Sequence, residues 1–201
     1  MVHITYMHMT EPHNFHYVQH CFQLFYDRVI TGGIPFHQHW IWSNGCAGQF
    51  KNPHVFQWLS LLHIKYNVPN LWSYFETRHG KGEHNGASAC IKTALQREQM
   101  KFIGMSLQHA ESIVKWCTTM TGDQSTRKIQ VRRSFWEVTN ADRSHTYRVN
   151  IVQGTRGFHS IRSSDNSTLE IWTRKMSCYC DSCSIVEWDE CELSEWVDTW
   201  H

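Results

Sequence analysis

Four cysteines towards one end of the chain carry its most concentrated chemistry: Cys178, Cys180, Cys183 and Cys191, in the pattern C-x-C-x2-C-x7-C. Ionised thiols are soft ligands, and four at such short spacing can close a tetrahedral site around Zn²⁺. An all-cysteine set leaves no coordination position open to water, so the zinc it would hold is structural. The step from Cys178 to Cys180 is tighter than in a usual zinc knuckle, which leaves His159 open as a substitute for one cysteine. The competing reading is a group of free thiols that only pack. Cys21, Cys46, Cys90 and Cys117 are scattered singly, a usage that fits small buried hydrophobes in a reducing compartment better than disulfides.

A second arrangement raises the question of missing chemistry. In "WSNGCAGQFKN", Trp42 to Asn52, a short apolar run ends on a small polar residue, a glycine and a helix start. Catalytic aspartates often stand at such a place, but the residue there is Asn44. Further on, "YFETRHGKGEHNGASACIKTAL" sets an aromatic strand before a glycine-punctuated loop and a helix, with Asn85 where the helix starts. Phosphodiester chemistry by two hard cations about 4 Å apart needs ionised carboxylates to hold them. Asparagine offers only a neutral amide oxygen.

These two blocks, in this order, resemble those of a family of transposon-derived proteins that carry a Ser-Asp-Gly…Gln-Phe-Lys block and then His-Gly-Lys-Gly…Asp-Gly. "GTRGFHSIRS" and "CYCDSC" resemble that family's C-terminal portion, so the likeness covers most of the chain. The resemblance implies an RNase H-like core of the DDE-type transposases and integrases, a mixed sheet covered by helices in which three carboxylates hold two metals. It also supports the same four cysteines as zinc ligands. Carried over, the second acid falls on Asn44 and the third on Asn85. The first belongs to an upstream strand, in a block like Asp-Phe-x-Glu-Asn-Tyr that this sequence does not contain, and the family's His-Asp pair reads His13-Asn14. Glu76 and Glu83 are the neighbouring acids, each wrongly placed to substitute. The resemblance therefore implies a catalytically inactive, N-terminally truncated member that holds no Mg²⁺. A nuclease or strand transferase with non-standard ligands is the alternative, and a purely protein-binding zinc module is a third reading.

Binding is then the function to look for. Between residues 127 and 162, Arg127, Lys128, Arg132, Arg133, Arg143, Arg148, Arg156 and Arg162 stand against only Glu137 and Asp142, with Phe135, Trp136, Tyr147 and Phe158 interleaved. Lys51 and Lys81 add cations within the two blocks. Phosphate contacts combined with stacking are how proteins hold DNA or RNA, whereas a basic face is otherwise only solvated surface. In the tail "EWDECELSEWVDTWH", Trp188, Trp196 and Trp200 stand among acids. As a helix it would place Trp196 and Trp200 on one face, to dock on the body or on a protein partner. His13, His16 and His20 share a helical face, but no acid there orients the rings; they, like His37 and His39, read as ordinary surface or half-buried histidines.

Periodicity gives the elements that must position these groups. Of 201 residues, 41% are hydrophobic and 18% charged, ample for one well-buried domain and a small appendage. No run approaches the ~20 apolar residues of a membrane span, and "MVHITYMHMTEPH" lacks the parts of a signal peptide. A soluble, intracellular protein, nuclear or cytoplasmic, with no membrane partner is expected. Residues 1–164 carry 17 Lys and Arg against 9 Asp and Glu, while residues 165–201 carry 2 against 9, so the two parts favour different electrostatic partners.

"VHITYMHM", "HQHWIWSN" and "NLWSYFET" read as strands. Helices are expected from Asn14, from Pro53 to Tyr66 and over "ASACIKTALQREQMKF", with "HGKGEHNG" as a loop. Such alternation implies an α/β domain. "KIQVRRSFWEV", "HTYRVNIV", "GFHSIRS" and "TLEIWTRKMSCYC" then read as successive strands of a small antiparallel module. The expected division is 1–122 for an RNase H-like domain incomplete at its N-terminus, 123–177 for a basic β module, and 178–201 for the zinc site and acidic, Trp-rich tail.

Overall fold

A computed structural model describes residues 2–7, 13–33, 37–75, 83–101, 107–121, 132–138, 141–144, 149, 151–164, 170–178, 180–185, 190–191 and 195–197. In chain order the elements are β1 (Val2–Met7), α1 (Phe15–Thr31), β2 (His39–Ser43), α2 (Pro53–Tyr66), β3 (Asn70–Tyr74), α3 (Glu83–Gln99), α4 (Ala110–Thr121), β4 (Arg132–Glu137), a 3-10 turn (Thr155–Gly157), β5 (Ser160–Ser163), β6 (Ile171–Arg174), α5 (Asp181–Ser184) and β7 (Glu195–Val197). They fall into two compact units, one of Met1–Pro12 with Lys81–Ala141 and one of His13–Gly80 with Asp142–His201. The chain is thus mixed α/β, as its alternating pattern implies. No helix among the described residues is long and apolar enough to cross a membrane.

In the larger unit a five-stranded mixed sheet runs β2-β3-β5-β6-β7, with β2 and β3 parallel and the remaining pairs antiparallel. Local signals set the helices that cover it. Asn14 caps α1 by accepting from the Tyr17 amide at 3.3 Å. Asn52 does the same for α2 at Val55, at 3.2 Å, and Pro53 sits in the first turn, where its missing N–H leaves nothing unpaired. Asn67 ends α2 in the left-handed region at φ 53, a conformation that asparagine tolerates better than most residues. Successive strand residues face opposite sides of a sheet. One side carries Ile41, Trp72, Tyr74, Ile161 and Ile171, which form the main core with Val55, Phe56, Leu59 and Leu62 of α2 and Val18 and Tyr26 of α1. On the other side Trp40, Leu71 and Trp172 meet Cys178, Cys183 and Cys191. The cysteine segment therefore covers the face opposite the helices.

In the smaller unit β1 and β4 pair in parallel, Val2 opposite Arg132 through Met7 opposite Glu137. Ile91 of α3, Cys117 of α4 and Phe135 of β4 form its core, with Leu95, Ile113, Val114 and Trp116 packed around them.

Several expectations change. The strands expected to make an antiparallel module over 123–177 do not stay together: β4 pairs with β1, whereas β5 and β6 extend the sheet begun by β2 and β3. The compact units accordingly divide the chain differently from the expected boundaries at 122/123 and 177/178, because alternation names a strand's buried face but not its partner. In "HTYRVNIV", Ile151 and Val152 are not in a strand, although Val152 is buried. The expected "HGKGEHNG" loop ends early, since α3 begins at Glu83 and takes in Gly86. Helix α4 was not foreseen, though the apolar spacing of Ile113, Val114 and Cys117 marks it. In the tail, residues 195–197 form β7 rather than the helix considered for it, with Trp196 in register with Trp172; Trp188 and Trp200 lie outside the described residues.

Candidate metal centre

The four cysteines of the C-terminal pattern converge. Cys178 and Cys180 follow β6, Cys180 is the N-cap of α5, Cys183 lies within that single turn, and Cys191 precedes β7. Their Sγ atoms lie within 4.8 Å of one another, with Cys180 Sγ 3.2 Å from Cys183 Sγ. Four sulfurs at ~2.3 Å from a central zinc ion would stand ~3.8 Å apart. That spacing lies between the two observed values, so small side-chain rotations close a tetrahedron. All four are free thiols; Cys183 and Cys191 are buried, Cys178 half-buried and Cys180 exposed. Among the described residues no other group of three or more His, Cys, Asp or Glu is so arranged. His159, open as a substitute ligand, lies outside the group; its backbone N–H donates to Arg174 O at 2.7 Å instead.

Local structure explains why such a centre would matter here. The connection from β6 to β7 holds only the four helical residues of α5 among its described residues, and long connections with so little secondary structure seldom hold a shape unaided. A metal tying Cys178, Cys180, Cys183 and Cys191 together would replace the apolar core that this segment is too small to build alone. The electrostatics are uneven. Burial pushes the Cys183 thiol up, while the nearby positive charge of Arg174 pulls the other way. Hydrogen bonding to Cys183 lowers Cys180. Thiolates rather than thiols bind metals, so loading displaces these protons.

The second arrangement lies at the carboxyl ends of β2 and β3. Asn44 Oδ1 accepts the Cys46 backbone N–H at 3.0 Å, so the amide standing where the family resemblance implies a carboxylate closes a local turn. Lys51, from the following turn, donates from Nζ to Arg156 O at 2.9 Å and lies 5.2 Å above the Tyr74 ring; burial lowers its pKa. Trp42 stacks on Phe75 with ring centres 5.2 Å apart and planes 27° from parallel. Trp42 is 39% exposed. The two rings line a cavity of about 280 Å³ shared with Tyr74, His159, Lys175 and Met176. This stack is a candidate surface feature that sequence reasoning missed. Its signal was present, because Trp42 and Phe75 lie two positions apart on parallel strands whose register pairs Ser43 with Tyr74. Asn85 is exposed in the first turn of α3, in the smaller unit; Glu83 opens that helix and Glu76 lies outside the described residues.

Residues 4–177 match the model of a family described as a domain of unknown function, DUF8701. The chain belongs to the DUF8701 family. The matched span stops just before Cys178, so in this DUF8701 chain all four cysteines of the candidate centre follow the matched residues. No curated protein and no solved structure matches it.

The basic residues of the DUF8701 chain are placed unequally. Arg156 is exposed and Lys51 half-buried. Arg162 is only 4% exposed, on the sheet face that carries Leu71 and Trp172, and so does not offer its guanidinium to a phosphate. The correction follows from β5 being a central strand rather than part of an exposed basic module. Arg132 and Arg133 lie in β4; Lys81, Arg127, Lys128 and Arg148 lie outside the described residues. Among the described residues the histidines do not assemble a metal site. His13 stacks on Tyr17, and His16 is buried beside a cavity of about 290 Å³ between α1 and α2, along with His20 and His54.

Proposed function

We propose that this protein is a transposase-derived, catalytically inactive member of its family that binds DNA or RNA and is held in shape by a structural zinc ion at its four cysteines. An intracellular setting, nuclear or cytoplasmic, agrees with eight free thiols, because reducing compartments keep cysteines unpaired. The mixed α/β architecture supports the RNase H-like reading at the level of fold class. Asparagine at Asn44 and Asn85 supports the loss of two-metal chemistry, since neither supplies a charged ligand.

The observation that carries the binding role is the surface at the carboxyl ends of β2 and β3, where the Trp42–Phe75 stack lines a cavity with Lys175 and Tyr74 and Lys51 lies over the Tyr74 ring. Strand ends of this kind are where open α/β sheets take ligands. Aromatic rings beside cations suit unpaired bases, whose stacking contributes about 1–3 kcal/mol per base. The test is fluorescence anisotropy of labelled single-stranded DNA and RNA at low salt, where phosphate-driven affinity is greatest. Binding is expected, weakened about 5- to 150-fold by Trp42→Ala, the stacking energy expressed as a ratio. No binding of either strand by the unmodified chain would remove the reading and favour a protein-binding zinc module.

A further inference from the structure

We infer that the cavity between α1 and α2 is a binding site for a small aromatic carboxylate, held by the buried imidazole of His16 and the ammonium group of Lys65. The cavity has a volume of about 290 Å³, at the lower end of the range for small-molecule sites, roughly 300–1,000 Å³. It shares no lining residue with the cavity of the Trp42–Phe75 stack, and neither zinc nor nucleic acid takes part in it. His16 is 8% exposed, and neither of its ring nitrogens has a hydrogen-bond partner among the described residues. A neutral imidazole carries one N–H donor and one lone pair, and burying such groups unpaired is costly and uncommon. A carboxylate in the cavity that His16 lines gives the N–H the acceptor it lacks.

The charges favour an anion. Lys65, in the last turn of α2, is exposed and makes no ion pair among the described residues; its Nζ lies 5.0 Å over the Tyr66 ring. His20 and His54 also line the cavity, against the single carboxylate of Asp142, whose Oδ1 accepts from Ser144 N at 2.9 Å and from Ser144 Oγ at 2.6 Å. His54 is held below its ordinary range, by burial first and by the charge of His16 second, so positive charge on one ring opposes it on the other, and an anion beside them relieves both. A bare metal ion does not suit, because among the described residues these groups do not bring three ligand atoms together. The walls set the body of the ligand. Phe15 lies flat on His54, ring centres 4.3 Å apart and planes 7° from parallel, and Trp58, Leu61 and Leu62 of α2 add apolar surface. Such walls take an aromatic ring, stacked or edge-on, more readily than a hydrated inorganic ion.

The test is calorimetric titration of the full chain with phenylacetate and indole-3-acetate, beside neutral phenylacetamide and inorganic phosphate. Saturable binding of at least one of the two carboxylates, one per chain, is expected, with phenylacetamide and phosphate held at least about 10-fold more weakly. His16→Phe keeps a buried ring but removes its donor, and should weaken the carboxylate about 10- to 150-fold, the strength of a hydrogen bond to a charged group expressed as a ratio. Lys65→Met, at an exposed position, should weaken it about 2- to 5-fold. No saturable binding of either carboxylate overturns the inference, as does unchanged affinity in His16→Phe or phosphate bound as tightly as the carboxylates. If His16→Phe does not fold, the unmodified chain decides: the ring-nitrogen resonances of His16 should shift as the carboxylate is added, and unmoved resonances overturn the inference. Failure on any of these counts leaves the zinc and nucleic-acid readings standing, since neither uses this cavity.

Discussion

The phenol oxygen of Tyr26 lies 2.6 Å from Nδ1 of His39, joining α1 to the edge strand of the main sheet. The Tyr26 hydroxyl donates to Asn70 Oδ1, and the Asn70 amide donates to Val68 O at 2.6 Å. With the hydroxyl proton committed to Asn70, His39 must supply the other, so Nδ1–H donates to the Tyr26 oxygen in the neutral tautomer. Burial raises the Tyr26 phenol far above its ordinary range and lowers His39 to about 4. The Nδ1–H donor survives protonation at Nε2, so what sets the neutral form of His39 in this buried polar chain is the cost of burying its charge.

That condition predicts a pH dependence. The unfolded chain protonates His39 near the usual ~6.5, and the folded chain resists until about 4, so the fold binds fewer protons between these limits and its stability rises with pH there. The contribution is complete above about pH 6.5 and is lost as pH falls towards 4, amounting to about 3 kcal/mol at most. Urea denaturation across this range should show the slope in the unmodified chain and a flatter one in His39→Gln. Identical slopes in the two proteins would show that His39 is not its source.

Packing of the sheet on α2 makes a second prediction. Ile161 is fully buried on the helix-covered face of β5, at the centre of the five-stranded sheet. Ile161→Val should cost about 0.5–1.5 kcal/mol and Ile161→Ala about 2–5 kcal/mol, the larger change leaving a cavity that its neighbours only partly fill. Chemical denaturation measures both. A cost below about 0.5 kcal/mol for the alanine variant would place β5 outside the cooperative core.

The inactive reading predicts that the unmodified chain does not nick supercoiled plasmid in Mg²⁺ or Mn²⁺. Asn44 closes its own turn and offers no charge to a cation. Cleavage that disappears on mutating Glu76 or Glu83 would instead establish an active enzyme with substitute ligands. The Asn44→Asp/Asn85→Asp double variant, run beside it, shows whether the acids alone restore metal-dependent nicking.

Where the sequence was legible, the signals were local. Helix α2 has the limits its residues announce, because Asn52, Pro53 and apolar residues three and four apart all agree. The cysteine centre was readable for the same reason, since its ligands fall within one short segment and their chemistry needs no long-range partner. Strands β1, β2, β3, β5 and β6 also lie within the runs expected for them.

What escaped sequence reading depends on contacts between distant segments. Nothing in "GFHSIRS" says that β5 pairs antiparallel with β3, which sets Arg162 on the sheet face that carries Leu71. Arg162 and Arg174 alternate with apolar residues as solvent-facing cations would, and only the cysteine segment lying over that face turns them inward. In "HGKGEHNG" the glycines argued for a loop, yet α3 starts at Glu83 and carries Gly86 within it; such an interior glycine costs about 1 kcal/mol relative to alanine. The tail pattern around Trp196 fits a helix face as well as a strand, and the open edge of β6 decides for β7.

The most direct test of the account is the metal content of the purified full chain, measured by native mass spectrometry and elemental analysis. Four free thiols within 4.8 Å of one another predict about one zinc per chain, released as the thiols protonate in acid and lost in Cys183→Ser together with stability. Less than about half an equivalent of any divalent metal, in a chain that folds with all four thiols free and is not stabilised by added zinc, would contradict it.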